Sequence, residues 1–119
     1  MTPENLFKAA QDAARKAVQA EIARKPEDPM AFDCGFAWVI VKPATGPFVN
    51  WCKRQIDTLG ERSRESFQYG SKAYAGGWQF WQPGEFNGQS IRIHKVGADA
   101  FAKVLVDNGL QAYADSRLD

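Results

Sequence analysis

The apolar run at residues 36–41 is the feature that most limits how this chain folds. The run is too short to cross a bilayer, which takes roughly 20 apolar residues, so we expect no membrane association. It includes the β-branched residues Val39, Ile40 and Val41, and Pro43 follows it, which together predict a strand over residues 31–42. Because the run is almost continuously apolar, we expect other elements to cover both faces of this strand.

Helical patterns lie on both sides of this strand. Residues 3–24 repeat apolar side chains at steps of three and four, with Thr2 as a predicted N-cap. The apolar side of this helix is mostly alanine, which leaves a peripheral position for it open. A second helix of about 12 residues is predicted to begin near Pro47 and to end at Gly60. A third is predicted over residues 96–108.

The remaining segments complete an α+β pattern. We predict a loop at residues 61–71 and an aromatic strand or hairpin arm at 72–82, in which Gly76 and Gly77 form a bulge or a point of close backbone approach. Residues 90–95 are predicted as a short strand or an extended entry to the third helix, and residues 110–118 as a strand. This order predicts one domain over residues 1–119, a small, mainly antiparallel sheet with three helices packed against it. A parallel pairing of the last two strands stays open. The predicted core comprises Trp38, Val39, Val41, Phe48, Ile56, Phe101 and Leu105.

Composition narrows the function classes. The 119 residues carry a net charge of +1 and are 45% hydrophobic, which excludes a disordered chain and argues against a strongly nucleic-acid-binding one. The chain has two cysteines and one histidine, too few and too scattered for a structural zinc site. We predict reduced, buried thiols in a cytoplasmic protein, no metal and no cofactor. A nucleophile and base formed by Cys34 and His94 is the less favoured alternative.

An aromatic and glycine-rich segment at residues 74–86 carries most of the functional information. Aromatic rings beside exposed backbone suit a flat ligand such as a base, a sugar or a peptide side chain, whereas in the alternative interpretation the rings only fill the core. Strand alternation predicts that Trp78 and Phe80 share one face and that Trp81 lies on the other, so one tryptophan is buried and one exposed. The predicted binding residues are Tyr74, Trp78, Trp81, Phe86, Arg92, His94 and Arg117.

The role of Arg117 has two interpretations. Its guanidinium could contact a phosphate or carboxylate of a ligand, together with Arg92 and His94. The favoured alternative is a surface ion pair with Asp115 or Asp119, which would leave Arg117 without a binding role.

Several segments resemble small uncharacterised proteins encoded by tailed bacteriophages and prophages. They are residues 34–38, 76–90 and 98–102 and the ending 116–119, so the resemblance covers roughly residues 33–119. It implies an accessory protein that acts in the cytoplasm of a bacterial host, where it binds a host protein or sequesters a signalling nucleotide.

These observations predict a non-enzymatic binding protein that uses the aromatic segment to hold a host protein or a small anionic, nucleotide-like ligand. A single-stranded nucleic-acid binder is an alternative, although the near-neutral charge argues against it. A small enzyme with His94 as general base is another. The aromatic strand is also a candidate seam for a homodimer.

Overall fold

The computed structural model describes residues 1–28 and 30–119, and over these residues the chain forms three α-helices, one 3-10 helix and a four-stranded sheet. In chain order the elements are α1 (Pro3–Arg24), β1 (Gly35–Lys42), α2 (Pro47–Leu59), the 3-10 helix (Arg64–Tyr69), β2 (Ser71–Lys72), β3 (Trp78–Trp81), α3 (Ile91–Asp107) and β4 (Gln111–Leu118). The predicted α+β class is confirmed, with the helices packed against one open antiparallel sheet.

Helix α1 has the predicted bounds. The Thr2 side chain accepts a hydrogen bond from the backbone N–H of Asn5 at 3.1 Å, and Pro3 occupies the first turn. A peripheral position for this helix is wrong, since Phe7, Ala10 and Ala14 are buried in the main core. The small alanine side chains let α1 lie close against α3, and the Phe7 ring lies 6.4 Å from those of both Phe80 and Phe101.

The sheet has the strand order β2-β3-β1-β4, and every neighbouring pair is antiparallel. A parallel pairing of the last two strands is therefore wrong, because β1 lies between β3 and β4. Helix α2 connects β1 to β2, and α3 connects β3 to β4, each connection passing over one intervening strand. This is the split β-α-β arrangement of ferredoxin-like sheets, preceded here by the additional helix α1.

The two faces of the sheet differ. The inner face presents Ala37, Val39 and Val41 from β1 and Trp78 and Phe80 from β3, and all five are buried against side chains of the helices. The outer face of β1 is only partly covered, so the expectation that both faces of this strand are buried is wrong. Successive residues of β1 thus alternate between a buried inner face and a partly covered outer face.

Two of the predicted core residues also depart from expectation. Trp38 is on the outer face and is only partly buried, and Ile56 packs at the margin of the core. Val39, Val41, Phe48, Phe101 and Leu105 are buried as predicted.

The strand predicted at residues 72–82 is interrupted. Residues 73–77 form a turn between β2 and β3, closed by a hydrogen bond from the N–H of Ala73 to the carbonyl of Gly77 at 2.9 Å. Gly76 and Gly77 have φ angles of 101° and 91° and form the turn, so a bulge is wrong. The close approach is confirmed at Gly77, where a Cβ would lie 2.7 Å from the carbonyl oxygen of Val41. The predicted loop at residues 61–71 contains the 3-10 helix, and the strand predicted from residue 31 begins at Gly35.

The short strand predicted at residues 90–95 is wrong, because α3 begins at Ile91. The carboxylate of Glu27 accepts hydrogen bonds from the N–H groups of Gln89 and Ser90 at 2.9 and 3.2 Å, which holds the chain leading into the helix. Ile93, Phe101 and Leu105 are all buried and are separated by multiples of four residues, which is the spacing of one helix face. The alternation of Ile91 and Ile93 with polar residues instead suggests a strand. Within the described residues, no helix has the length and apolarity needed to cross a membrane.

Candidate functional site

Four aromatic side chains lie on the outer face of the sheet, which we call the aromatic platform: Phe36 and Trp38 from β1, Trp81 from β3 and Tyr113 from β4. The strand register explains the cluster, because Trp38 pairs with Trp81 and Ile40 pairs with Tyr113, which places their side chains on the same face. The platform thus draws on the two central strands and the β4 edge.

Three of the four platform rings, those of Phe36, Trp38 and Trp81, contact one another. Trp38 and Trp81 stack with centroids 5.6 Å apart and an interplanar angle of 11°, and the ring of Phe36 lies 5.3 Å from that of Trp81. Trp81 is 37% exposed and Tyr113 is 47% exposed, so both present apolar surface to solvent. Rings fixed by their neighbours offer a flat surface at low entropic cost to a ligand.

Two cations lie beside the platform. The guanidinium of Arg117 is 5.8 Å from the centroid of Phe36, and the ammonium of Lys42 is 5.9 Å from that of Tyr113. Among the described residues Arg117 has no ion pair with Asp115 or Asp119, so that favoured prediction is wrong. Asp115 instead accepts a hydrogen bond from the N–H of Ser116 at 2.8 Å. Arg117 is therefore free to meet an anion.

A shallow groove of about 290 Å³ runs along the platform. Trp38, Trp81 and Tyr113 form its floor, and the turn at residues 73–77 forms one wall. Tyr74 stands fully exposed on that turn. The polar groups at the groove come from Gln79, Asp115 and Arg117, which supply an amide, a carboxylate and a guanidinium.

The predicted binding residues divide into two groups. Tyr74, Trp81 and Arg117 line the same groove, so the structure brings these three together. Trp78 is 7% exposed and belongs to the core, where its indole N–H donates to the carbonyl of Tyr69 at 2.8 Å. The prediction that Trp78 and Trp81 differ in exposure is confirmed.

The other predicted binding residues make contacts away from the platform. Phe86 and His94 pack against each other edge to face at 5.0 Å. Arg92 donates to the carbonyl of Lys25 at 2.8 Å and pairs with Glu21 at 3.0 Å. Glu21 also binds Arg24, and this bond and that of Arg92 lower the pKa of Glu21 to about 2. Arg92 thus joins α3 to α1.

His94 is the single histidine of the chain, and it is buried on α3, which packs on the inner face. Its Nε2 lies 2.8 Å from the carbonyl of Gly88 and must donate to it, because a carbonyl only accepts. Burial lowers the pKa of His94, which favours the neutral ring. This environment gives it a structural contact and no place on the platform.

The two thiols differ in burial. Cys52 is fully buried, and burial raises its pKa to about 12, so it is a small core side chain and not a nucleophile. Cys34 is partly buried, and both Cys34 and His94 line a second depression near the start of β1. In the described part of the chain, no three His, Cys, Asp or Glu side chains are grouped to hold a metal ion.

Sequence reasoning missed Phe36, Trp38 and Tyr113 as members of the site. Trp38 was assigned to the core because its run is almost continuously apolar. The missing information was the register, since nothing local tells which strand lies next to which. Parity alone would have placed Phe36 and Trp38 on one face of β1.

Comparisons with known proteins find no matching family model, no similar curated protein and no similar solved structure. The resemblance to bacteriophage proteins therefore stays a prediction.

Proposed function

We propose that this protein is a non-enzymatic binding protein that holds a nucleotide-like ligand by stacking its base on the aromatic platform. The observation that carries the proposal is the exposed ring of Trp81, fixed between Phe36 and Trp38 on a sheet face that none of the helices described covers. A ring held in this way stacks a planar base without first having to be ordered.

The charges beside the platform favour an anionic ligand. Arg117 and Lys42 each lie over a platform ring, so a phosphate of a stacked nucleotide would meet a cation at either end of the platform. Gln79 and Asp115 supply an amide and an acceptor at the groove for the edge of a base.

The size of the groove favours a single nucleotide over a strand. At about 290 Å³ it lies at the lower end of the range for small-molecule sites. Strand binding needs a row of cations that follows successive phosphates, whereas the outer face contributes two cations and one carboxylate near the platform. In a phage-encoded protein, as the sequence resemblance implies, such binding would withdraw a signalling nucleotide from the host.

A second candidate is a short single strand of RNA or DNA. It is favoured by the placement of Trp38, Phe36 and Trp81 on the two central strands of a four-stranded sheet, since RNA-recognition sheets stack two or three bases on aromatic residues of such strands. Sheet architecture alone does not determine function, so the charge pattern ranks this candidate second.

The test is a binding panel of nucleoside monophosphates, diphosphates, cyclic dinucleotides and short single strands, read by tryptophan fluorescence and calorimetry. Stacking contributes about 1–3 kcal/mol per base, so Trp81→Ala should weaken the best ligand by about tenfold to a hundredfold. Arg117→Gln should weaken phosphorylated ligands and leave the free nucleoside unchanged.

The control is Phe67→Ala, which removes an aromatic ring that is 72% exposed, against 37% for Trp81, from the 3-10 helix, away from the platform. It should bind as the wild type does. Unchanged affinity in Trp81→Ala, or no binding across the panel, would refute the proposal. Binding of strands alone would select the second candidate. Capture of a bacterial protein by wild type and not by Trp81→Ala, without nucleotide binding, would assign the platform to a protein partner.

A further inference from the structure

Strand β4 forms a long open edge of the sheet. Its neighbour β1 lies on one side only, and its eight residues Gln111–Leu118 contain neither proline nor glycine. The other edge, β2, has only two residues, and the aromatic strand β3 is enclosed between β2 and β1. On that side β2 pairs with Trp78 and Gln79 and not with Phe80 and Trp81, so the seam expected on the aromatic strand is short and β4 is the longer edge available for pairing.

The register shows which backbone groups of β4 are unpaired. The N–H of Asp119 donates to the carbonyl of Cys34, and Phe36, Trp38 and Ile40 pair with Arg117, Asp115 and Tyr113. In an antiparallel ladder the hydrogen-bonded residues alternate, so the odd-numbered residues of β4 face β1. The N–H and carbonyl groups of Ala112, Ala114, Ser116 and Leu118 point away from the sheet.

We propose that a second copy of this chain pairs antiparallel along β4, with the two-fold axis at Ser116, to form one eight-stranded sheet. Ser116 would exchange hydrogen bonds with Ser116 of the second copy, and Ala114 would pair with Leu118. Such an axis is perpendicular to the sheet, so both aromatic platforms lie on the same face. The inference needs no ligand, but Asp115 and Arg117 also line the groove of the platform, so dimerisation is measured in the absence of nucleotide.

The charged side chains of β4 favour the register centred on Ser116 over the registers centred on Asp115 and Ala114. With the axis at Ser116, Asp115 lies directly opposite Arg117 of the second copy, and the symmetry makes this pair twice. Moving the axis to Asp115 would place two like carboxylates opposite each other, and moving it to Ala114 would pair neither charge with its opposite. Within the described residues Arg117 has no ion pair of its own, so it is available for this contact.

Helix α3 carries a second pair of opposite charges beside β4. Lys95 and Asp99 border residues 114–116, and among the described residues neither forms an ion pair. They lie one helical turn apart with opposite charges, so a two-fold axis near Ser116 turns Lys95 of one copy toward Asp99 of the other. The edge and the helix are therefore self-complementary about the same axis.

One contact must change on pairing. The carboxylate of Asp115 accepts the N–H of Ser116 at 2.8 Å, and this N–H is one of the groups that the second copy would bind. Pairing exchanges this local bond for a hydrogen bond to the second copy's Ser116 and frees Asp115 to meet Arg117.

The test reverses the two charges separately and together, with sedimentation velocity and native mass spectrometry across the micromolar range. We expect wild type to dimerise, and Asp115→Arg and Arg117→Asp each to raise the dissociation constant at least about tenfold, because like charges then face each other. An equimolar mixture of the two variants should form a heterodimer, since every facing pair becomes opposite in charge. The double variant should dimerise as wild type does.

Arg64→Glu, an exposed charge reversal on the 3-10 helix, is the control and should leave the dimer unchanged. Melting curves of every variant show whether the fold is intact. A monomeric wild type throughout the range would overturn the proposal. So would two single variants that stay apart when mixed, or a double variant that remains monomeric, because only the register centred on Ser116 predicts both recoveries.

Discussion

The inner and outer faces of the sheet are both rich in aromatic rings, but the rings of the inner face are buried and those of the outer face are partly exposed. On the inner face Phe80 lies 5.0 Å from Phe101, and both are almost completely buried beneath the helices. On the outer face the rings of Trp38 and Trp81 stack on each other, and Trp81 remains 37% exposed. The contrast teaches that the aromatic content of a strand does not distinguish core from surface. The parity of each residue within its strand does.

The largest expected effect separates the faces by stability. Phe101→Ala removes a fully buried ring and should lower the free energy of unfolding by about 3–5 kcal/mol. Trp81→Ala removes a partly exposed ring and its stacking, and should cost only about 1 kcal/mol. Urea unfolding followed by circular dichroism measures both. Equal losses would mean that the outer face is as tightly packed as the inner one.

The turn that forms the groove wall should respond unequally to two substitutions. A Cβ at Gly77 would lie 2.7 Å from the carbonyl oxygen of Val41, while one at Gly76 would meet nothing within 4 Å. Both residues have positive φ, so Gly76→Ala should cost about 1 kcal/mol and Gly77→Ala about 2 kcal/mol or more. Thermal melting compares them, and Gly76→Ala as the more damaging change would contradict the described turn.

Fluorescence quenching by iodide compares the tryptophans of β3 directly. Trp81→Phe should lower the accessible part of the emission, to which the partly buried Trp38 and Trp51 also contribute, whereas Trp78→Phe should leave it unchanged. Trp78→Phe should also cost about 1 kcal/mol of stability, because it removes the hydrogen bond to the carbonyl of Tyr69. Stern–Volmer plots supply the measurement. If Trp78→Phe lost the quenchable component, the assignment of the faces would be reversed.

The smallest expected effect is the pH dependence of stability caused by His94, which lies on α3. Burial lowers the pKa of His94 in the folded state, so the unfolded chain binds a proton first as pH falls below about 6.5. Stability should therefore decrease between pH 7 and 6, by less than about 1 kcal/mol. In His94→Gln, whose amide can still donate to Gly88, this dependence should vanish. A wild-type profile that is flat in this range would show that the ring is not desolvated.

Features that depend on residues close together in the sequence could be predicted, whereas features that depend on contacts between distant residues could not. Helices α1 and α2 were predictable because Thr2, Pro47 and Gly60 mark their ends locally. The start of α3 was not, since Glu27 holds its approach from more than sixty residues away in sequence. For the site, Tyr74, Trp81 and Arg117 were found by residue type, whereas Phe36, Trp38 and Tyr113 joined them only through strand pairing.

The position of β4 in the sheet also affects synthesis of the chain. The central strand β1 is made early, but its partner β4 is made only after α2, β2, β3 and α3. While residues 111–118 are still being translated, β1 keeps one row of backbone groups unpaired beside the rings of Phe36 and Trp38. Nascent chains with an unpaired, aromatic strand are prone to aggregate, and pairings that close so late in the sequence slow folding. Slower elongation over the codons of α3 and β4 would lengthen the interval in which this strand stays exposed.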